Sequence, residues 1–224
     1  MQIDVHNLTY AYGQKLVLQN LSLSLQRGDY VVVRGKNGSG KSTFVKCLLG
    51  LNAVKSGMIF YNHQDINNFK DWTSIGYVSQ KMEDFNYEFP ITVNEYLSVS
   101  SLRRTRQSDR LRMLDKMGIL ELLNQNINNL SGGELQRTFI VRSMLNQPKM
   151  LILDEPTASV DVKSAEFFFQ TVNELNAQGV TVVIVSHHDT FERMNYTHVL
   201  TLHSDMSFEF ETRERHRQKE GIQS

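Results

Sequence analysis

The sequence predicts an α/β fold: a parallel sheet sandwiched by helices, an antiparallel β layer beside it, and a helical lobe inserted into the sheet domain. Continuous apolar runs at residues 31–33, 75–78, 150–153 and 180–185 suit strands buried on both faces, as a helix-covered parallel sheet requires. Alternating apolar and polar residues at 3–10 and 17–25 suit two half-buried antiparallel strands. Between 80 and 129 the composition changes, and Leu97, Leu102, Leu111, Leu114, Met117, Leu120, Leu122 and Leu123 recur at helical spacing among Arg, Ser, Asp and Gln. These readings place one domain over 1–224, with its core at about 1–82 and 136–210, a helical subdomain at about 83–135 and a tail at 211–224.

The two alternating segments open the chain and form the antiparallel layer. The apolar run ending at Val33 leads into Gly35-Lys36-Asn37-Gly38-Ser39-Gly40-Lys41-Ser42, the strand-then-loop order of a phosphate-binding P-loop. Its glycines let the backbone turn tightly and aim successive N–H groups at one anion. Lys41 can reach the β- and γ-phosphates, Ser42 can ligand Mg²⁺, and the helix starting near Lys41 adds its positive dipole end. Gly35, Asn37, Gly38, Ser39, Gly40, Lys41, Ser42 and Thr43 are the expected nucleotide-binding residues. Cys47, the only cysteine, falls in that helix and reads as a buried, reduced thiol of a cytosolic protein.

After the helical lobe, Leu130-Ser131-Gly132-Gly133-Glu134 precedes a helical stretch to Asn146. Ser131 with Glu134 three residues on is a capping-box pattern. Two consecutive glycines are not needed for a cap and weaken a helix, so they favour close approach of phosphate to the exposed N–H groups of Ser131, Gly132 and Gly133. The strand at 150–153 ends on Asp154 and Glu155, at the sheet edge where open α/β sheets bind ligands. With a P-loop in the same chain, Asp154 is the expected Mg²⁺ ligand and Glu155 the base for an attacking water. The last predicted strand, 180–185, is closed by Ser186 and His187. Residues 211–220 show no apolar face and read as a solvated or frayed tail.

Composition narrows the partners. Lys plus Arg equal Asp plus Glu at 24 each, so no net field favours nucleic acid or an anionic membrane. There is no export signal and no apolar run long enough to span a bilayer. His63, His198, His203 and His216 lack metal-ligand spacing, so no protein-bound metal beyond Mg²⁺ is expected.

The four segments, in their order and approximate spacing, resemble the nucleotide-binding subunit of ATP-binding cassette transporters over nearly the whole chain. The resemblance implies a P-loop NTPase core of RecA-like type, an ATPase with ATP and Mg²⁺ as cofactors, and two copies closing head to tail with ATP at the interface. It assigns Tyr12 to stacking on adenine, with Tyr10 a competitor, and Gln80 to Mg²⁺ and the lytic water. Asp161 falls in a loop crossing the dimer interface, and His187, rather than its neighbour His188, touches the γ-phosphate and orients Glu155 and water. Lys41, Glu155, Gln80 and His187 are thus the catalytic set, and Ser42, Gln80 and Asp154 the metal set. Glu134 departs from the family's usual Gln, and the reading is that it turns back to cap the helix.

The resemblance also implies integral-membrane permease subunits, an extracytoplasmic substrate-binding protein and a location on the inner face of the cell membrane. Residues 85–93 are rich in aromatics and fit either a groove for a permease helix or packing inside the lobe. Residues 89–93, Glu134 and residues 159–162 resemble the zinc and manganese uptake branch. The alternatives are a cassette transporting another cargo and a soluble cassette ATPase of an assembly complex, such as an iron–sulfur scaffold.

Overall fold

A computed structural model describes residues 1–79, 90–100, 106–157, 162–186, 191 and 193–220. The chain opens with a hairpin of β1 (Ile3–Tyr12) and β2 (Lys15–Leu25), turned at Gly13 with φ of 58°. Ile3, Val5, Leu8, Leu18, Leu21, Leu23 and Leu25 all point inward. Register shifts after Val5 and Leu8 adjust the pairing, and Asn7 and Asn20 take the positive φ that bulged strands need.

The next elements are β3 (Tyr30–Gly35) and helix α1 (Lys41–Leu48), followed by the short strands β4 (Ile59–Tyr61) and β5 (Gln64–Asp65). The antiparallel sheet has the order β2-β1-β4-β5. With β6 (Ile75–Val78), β7 (Met150–Asp154), β8 (Thr181–Val185), β9 (His198–Leu202) and β10 (Phe208–Thr212), β3 builds a second sheet of order β10-β9-β3-β8-β7-β6. All its neighbours run parallel except β9 and β10.

The two-residue strand period divides the core. Val31 and Val33 join Phe44, Val45 and Leu48 of α1 and the inner face of the antiparallel sheet. Tyr30 and Val32 face the other way, onto α2 (Val93–Ser100), α3 (Gln107–Lys116), α4 (Gly132–Met144) and α5 (Val162–Ala177). Burial of each such Val or Leu contributes about 1.5–3 kcal/mol, so sheet and helices form one packed unit. Val93, Leu97, Leu114 and Met117 of the helical lobe lie in this second core, whereas Leu120 faces solvent.

Helix α4 starts at the capped turn of Ser131 and runs from Gly132 to Met144, as the helical stretch after that motif suggests. One expectation needs correction. Residues 211–220 are not a frayed tail: β10 pairs with β9 up to Thr212, and α6 (Arg213–Glu220) follows with His216 fully buried. The helix is held by ring contacts and ion pairs rather than an apolar stripe, so hydrophobic periodicity does not reveal it. Among the described residues no helix is long and apolar enough to cross a membrane.

Candidate active site

Parallel strands end on one edge, and the register aligns those ends. Val33 pairs with Val185, Val185 with Asp154, and Leu153 with Val78. The loop after β3, the acids after β7 and Ser186 after β8 therefore meet at one rim, where β3 lies between strands of opposite connection direction.

A cleft of about 510 Å³ opens there. Its wall is formed by Tyr12 of β1, by Asn37, Gly38, Gly40, Lys41, Ser42 and Thr43 of the loop and α1, and by Glu155. Lys15 and Val17 of β2 complete it; no local pattern marks them, and Lys15 arrives there as the partner of Tyr12 across the hairpin. The wall includes Tyr12 and not Tyr10, whose ring packs against Tyr12 edge-on at 5.1 Å. Tyr12 is 48% exposed and anchored by Asn52, which donates to its hydroxyl at 3.0 Å.

The loop geometry explains its glycines. Gly38 and Gly40 sit at φ of 82° and 99°, and a Cβ on Gly40 would come within 2.9 Å of Leu18 Cδ2. A Cβ on Gly35 would collide with the Leu202 carbonyl oxygen and the Ser39 hydroxyl, so the first residue of the loop is seated directly on the end of β9. Lys41 Nζ donates to the carbonyls of Gly35 at 2.8 Å and Lys36 at 3.2 Å. The ammonium is thus fixed over the loop, with α1 aiming its N-terminal N–H groups into the same space.

Asp154 is 5% exposed, and burial, with the Glu155 charge next, pushes its carboxyl above the usual range. A hydrogen bond from Ser42 and the charges of Lys41 and Lys46 partly oppose this. Its Oδ1 is buried without a hydrogen-bond partner. A carboxylate oxygen left over beside a serine hydroxyl is a hard, oxygen-only donor set, which fits Mg²⁺. Glu155 stands in the left-handed region at φ of 46°, a conformation costing about 1–3 kcal/mol in a non-glycine residue. Its N–H still donates to Val185 at 3.1 Å, so the ladder holds the backbone while the side chain is turned into the cleft.

Ser131, Gly132 and Gly133 do not line this cleft. Ser131 and Gly132 are exposed at the start of α4. The capping box is complete: Glu134 Oε2 accepts from the Ser131 N–H and hydroxyl, each at 2.8 Å, and Ser131 Oγ accepts from the Glu134 N–H at 3.4 Å. These bonds hold the Glu134 carboxyl below its ordinary value, so its charge is directed into the helix backbone, as the sequence reading required. Gln80, Asp161 and His187 lie outside the described residues, as do residues 85–89 and 159–161. Cys47 is buried, with its thiol pushed up to about 12 by burial.

A glycine loop seated on the central strand of a parallel sheet, with a buried Asp and a turned-in Glu beside it, defines the P-loop nucleotide hydrolases. A family model described as "ABC transporter" matches residues 18–158. The zinc uptake system ATP-binding protein ZurA of Listeria innocua is 35% identical over 217 residues, 92% of this chain and 84% of that protein. The zinc import ATP-binding protein ZnuC of Photorhabdus laumondii is 36% identical over 187 residues, 84% of this chain and 68% of that protein. A solved dimeric ATP-binding cassette in a post-hydrolysis state with ADP and Pi is 26% identical, with a TM-score of 0.76 over 94% of this chain and 98% of that one. The chain belongs to the ABC transporter family, binds ATP and is an ATPase.

Proposed function

We propose that this ATPase is a homodimer that powers a membrane importer for a divalent metal ion, zinc or manganese, as one cassette domain bound to permease subunits on the inner face of the membrane. An extracytoplasmic substrate-binding protein would deliver the cargo. The observation that carries the dimer is the separation of two phosphate-binding features. Lys41, Ser42 and Glu155 share the cleft, while Ser131 and Gly132 stand exposed outside it. A second copy related by a two-fold axis can supply the missing side of each site, and the relation is reciprocal. Support for metal cargo comes from the zinc-uptake relatives, which match along most of both chains.

In this reading Tyr12 stacks on adenine, the N–H groups from Gly35 to Thr43 cradle the phosphates, and Lys41 neutralises charge on the β- and γ-phosphates. Ser42 and Asp154, with Gln80, would hold Mg²⁺, which supplies positive charge against the phosphate oxygens. Glu155 takes a proton from the attacking water as its oxygen bonds to the γ-phosphorus and ADP leaves. His187 orients that water, Ser131 and Gly133 of the facing copy close over the γ-phosphate, and Asp161 lies at the crossing between copies. ATP thus joins the copies and hydrolysis releases them, a cycle that an attached permease can follow.

Deleting the gene and measuring cellular zinc and manganese tests the cargo: a fall in one of them, restored by the intact gene and not by Glu155→Gln, is the expected result. Unchanged metal content would overturn the import reading. Affinity capture tests the class, since recovery of only soluble partners would favour an assembly ATPase over a transporter.

A further inference from the structure

The segment at the C-terminus that looks solvated by composition packs on β9 and β10 and, through Phe191, reaches the residue before the P-loop. Gly35, the first residue of the loop, has no room for a Cβ because the Leu202 carbonyl of β9 occupies that place. Arg34, the residue before it, donates from Nε to Thr201 Oγ1 at 2.9 Å. Arg34 and Gly35 pair with Thr201 and Leu202 in the sheet register, so β9 sets the height at which the loop leaves the sheet. β9 is held in turn by β10, which continues directly into α6.

A cluster of tilted and edge-on rings joins this unit. The Arg34 guanidinium lies over the Phe191 ring at 5.9 Å, and Phe191 meets His216 of α6 at 5.4 Å and Tyr196 at 5.4 Å. Tyr196 Oη is 3.2 Å from His216 Nδ1, and Arg213 covers the Tyr196 ring at 5.0 Å. His216 is fully buried. On the outer side Lys219 joins Glu209 at 2.7 Å and Glu211 at 2.5 Å, and Arg215 meets Glu211 at 3.6 Å, which ties α6 to β10. A buried aromatic and hydrogen-bonded cluster restrains the groups it joins, and this one connects the last helix to the residue preceding the glycine loop.

We propose that the unit formed by β9, β10 and α6 positions the P-loop for ATP, with His216 and Phe191 as positioning residues acting through Arg34. Neither touches nucleotide; their effect is on where Gly35 and the following N–H groups stand. Loosening this ring cluster lets the loop base move away from the phosphates, so ATP binding weakens more than the chemical step once ATP is bound. This inference rests on the ATPase assignment and not on the cargo.

The test compares His216→Ala, His216→Phe and Tyr196→Phe in the full chain. His216→Ala is expected to raise KM for ATP at least fivefold with saturated kcat within about twofold, and to speed amide exchange across residues 34–41. His216→Phe, which refills the ring space, is expected to return KM to within about twofold of the parent. Tyr196→Phe keeps the fold and removes only the hydroxyl, and should raise KM two- to threefold with the same local rise in exchange. If His216→Ala fails to fold, the Tyr196→Phe pair of readouts decides alone. Unchanged KM and unchanged exchange in the variants that fold, or a loss confined to kcat, would overturn the proposal. Loss of all ATP turnover in the parent protein would instead count against the ATPase assignment.

Discussion

Replacing Glu155 by Gln separates binding from chemistry at this site. The amide keeps the shape of the side chain, and the φ of 46° at this position is set by the backbone bond to Val185, so the local structure should hold. Two consequences follow from removing the charge. A positioned general base contributes about 10²–10⁴-fold, so kcat should fall by that factor, or roughly 2.7–5.4 kcal/mol of barrier. The Glu155 charge is also one cause of the raised Asp154 carboxyl, so its loss lets Asp154 ionise more readily and leaves nucleotide binding equal or tighter. The assay is single-turnover hydrolysis of labelled ATP with a parallel binding titration, and light scattering to follow ATP-dependent dimer formation. A fall in kcat below tenfold, or loss of ATP binding, would refute the assignment of Glu155 as base. Absence of an ATP-induced dimer in this variant would sink the sandwich arrangement.

Three further perturbations address the loop, the buried acid and the cap. Gly35→Ala forces a methyl into the Leu202 carbonyl and the Ser39 hydroxyl, a clash of the kind that costs about 1–3 kcal/mol, and ATP affinity measured by titration should fall at least tenfold. Asp154→Asn removes a buried charge: a carboxyl whose folded pKa is raised costs stability when ionised, and that cost fades as pH falls through the folded value. The variant should therefore melt higher than the parent at pH 7, with the gap closing towards acid pH, while turnover is lost; a lower melting point at pH 7 would contradict this. Glu134 has the opposite sign, because its lowered pKa adds stability above the unfolded value near 4.5 that is lost as pH falls through the folded one. Glu134→Ala should lower the melting temperature at pH 7 and by progressively less as pH falls through the folded value, and a loss that stays constant down the acid range would show that the charge-assisted cap is not the cause.

The legible parts of the site were those written in contiguous residues. Gly35 to Ser42, Ser131 to Glu134, and Asp154 with Glu155 carry their chemistry within a few positions, since backbone N–H cradles, helix caps and strand ends are local structures. The capping role of Glu134 was readable for the same reason: both partners lie within one turn. Tyr12 could not be told from Tyr10 by alternation, because the register shifts between Leu8 and Ala11 decide which ring reaches the cleft. Lys15 was invisible as a wall of the cleft, since only the hairpin brings it there. Helix α6 was misread because its anchors are one buried histidine and charged pairs, which a search for apolar periodicity scores as solvent-facing.

The sequence by itself determined the α/β class, the phosphate loop, the pair of acids and the family, because each depends on short segments whose geometry follows from residue type. Tertiary structure decided which of these segments share a space. Parallel pairing brought Gly35, Asp154 and Ser186 to one rim, while the helical lobe left Ser131 and Gly132 exposed at the start of α4 and out of the cleft wall. It also turned a charged terminal stretch into a helix packed, through Phe191, against the residue before Gly35, by contacts between residues as distant in sequence as Arg34, Phe191 and His216. Such contacts form only once the sheet has set the order of its strands, and no local pattern encodes them.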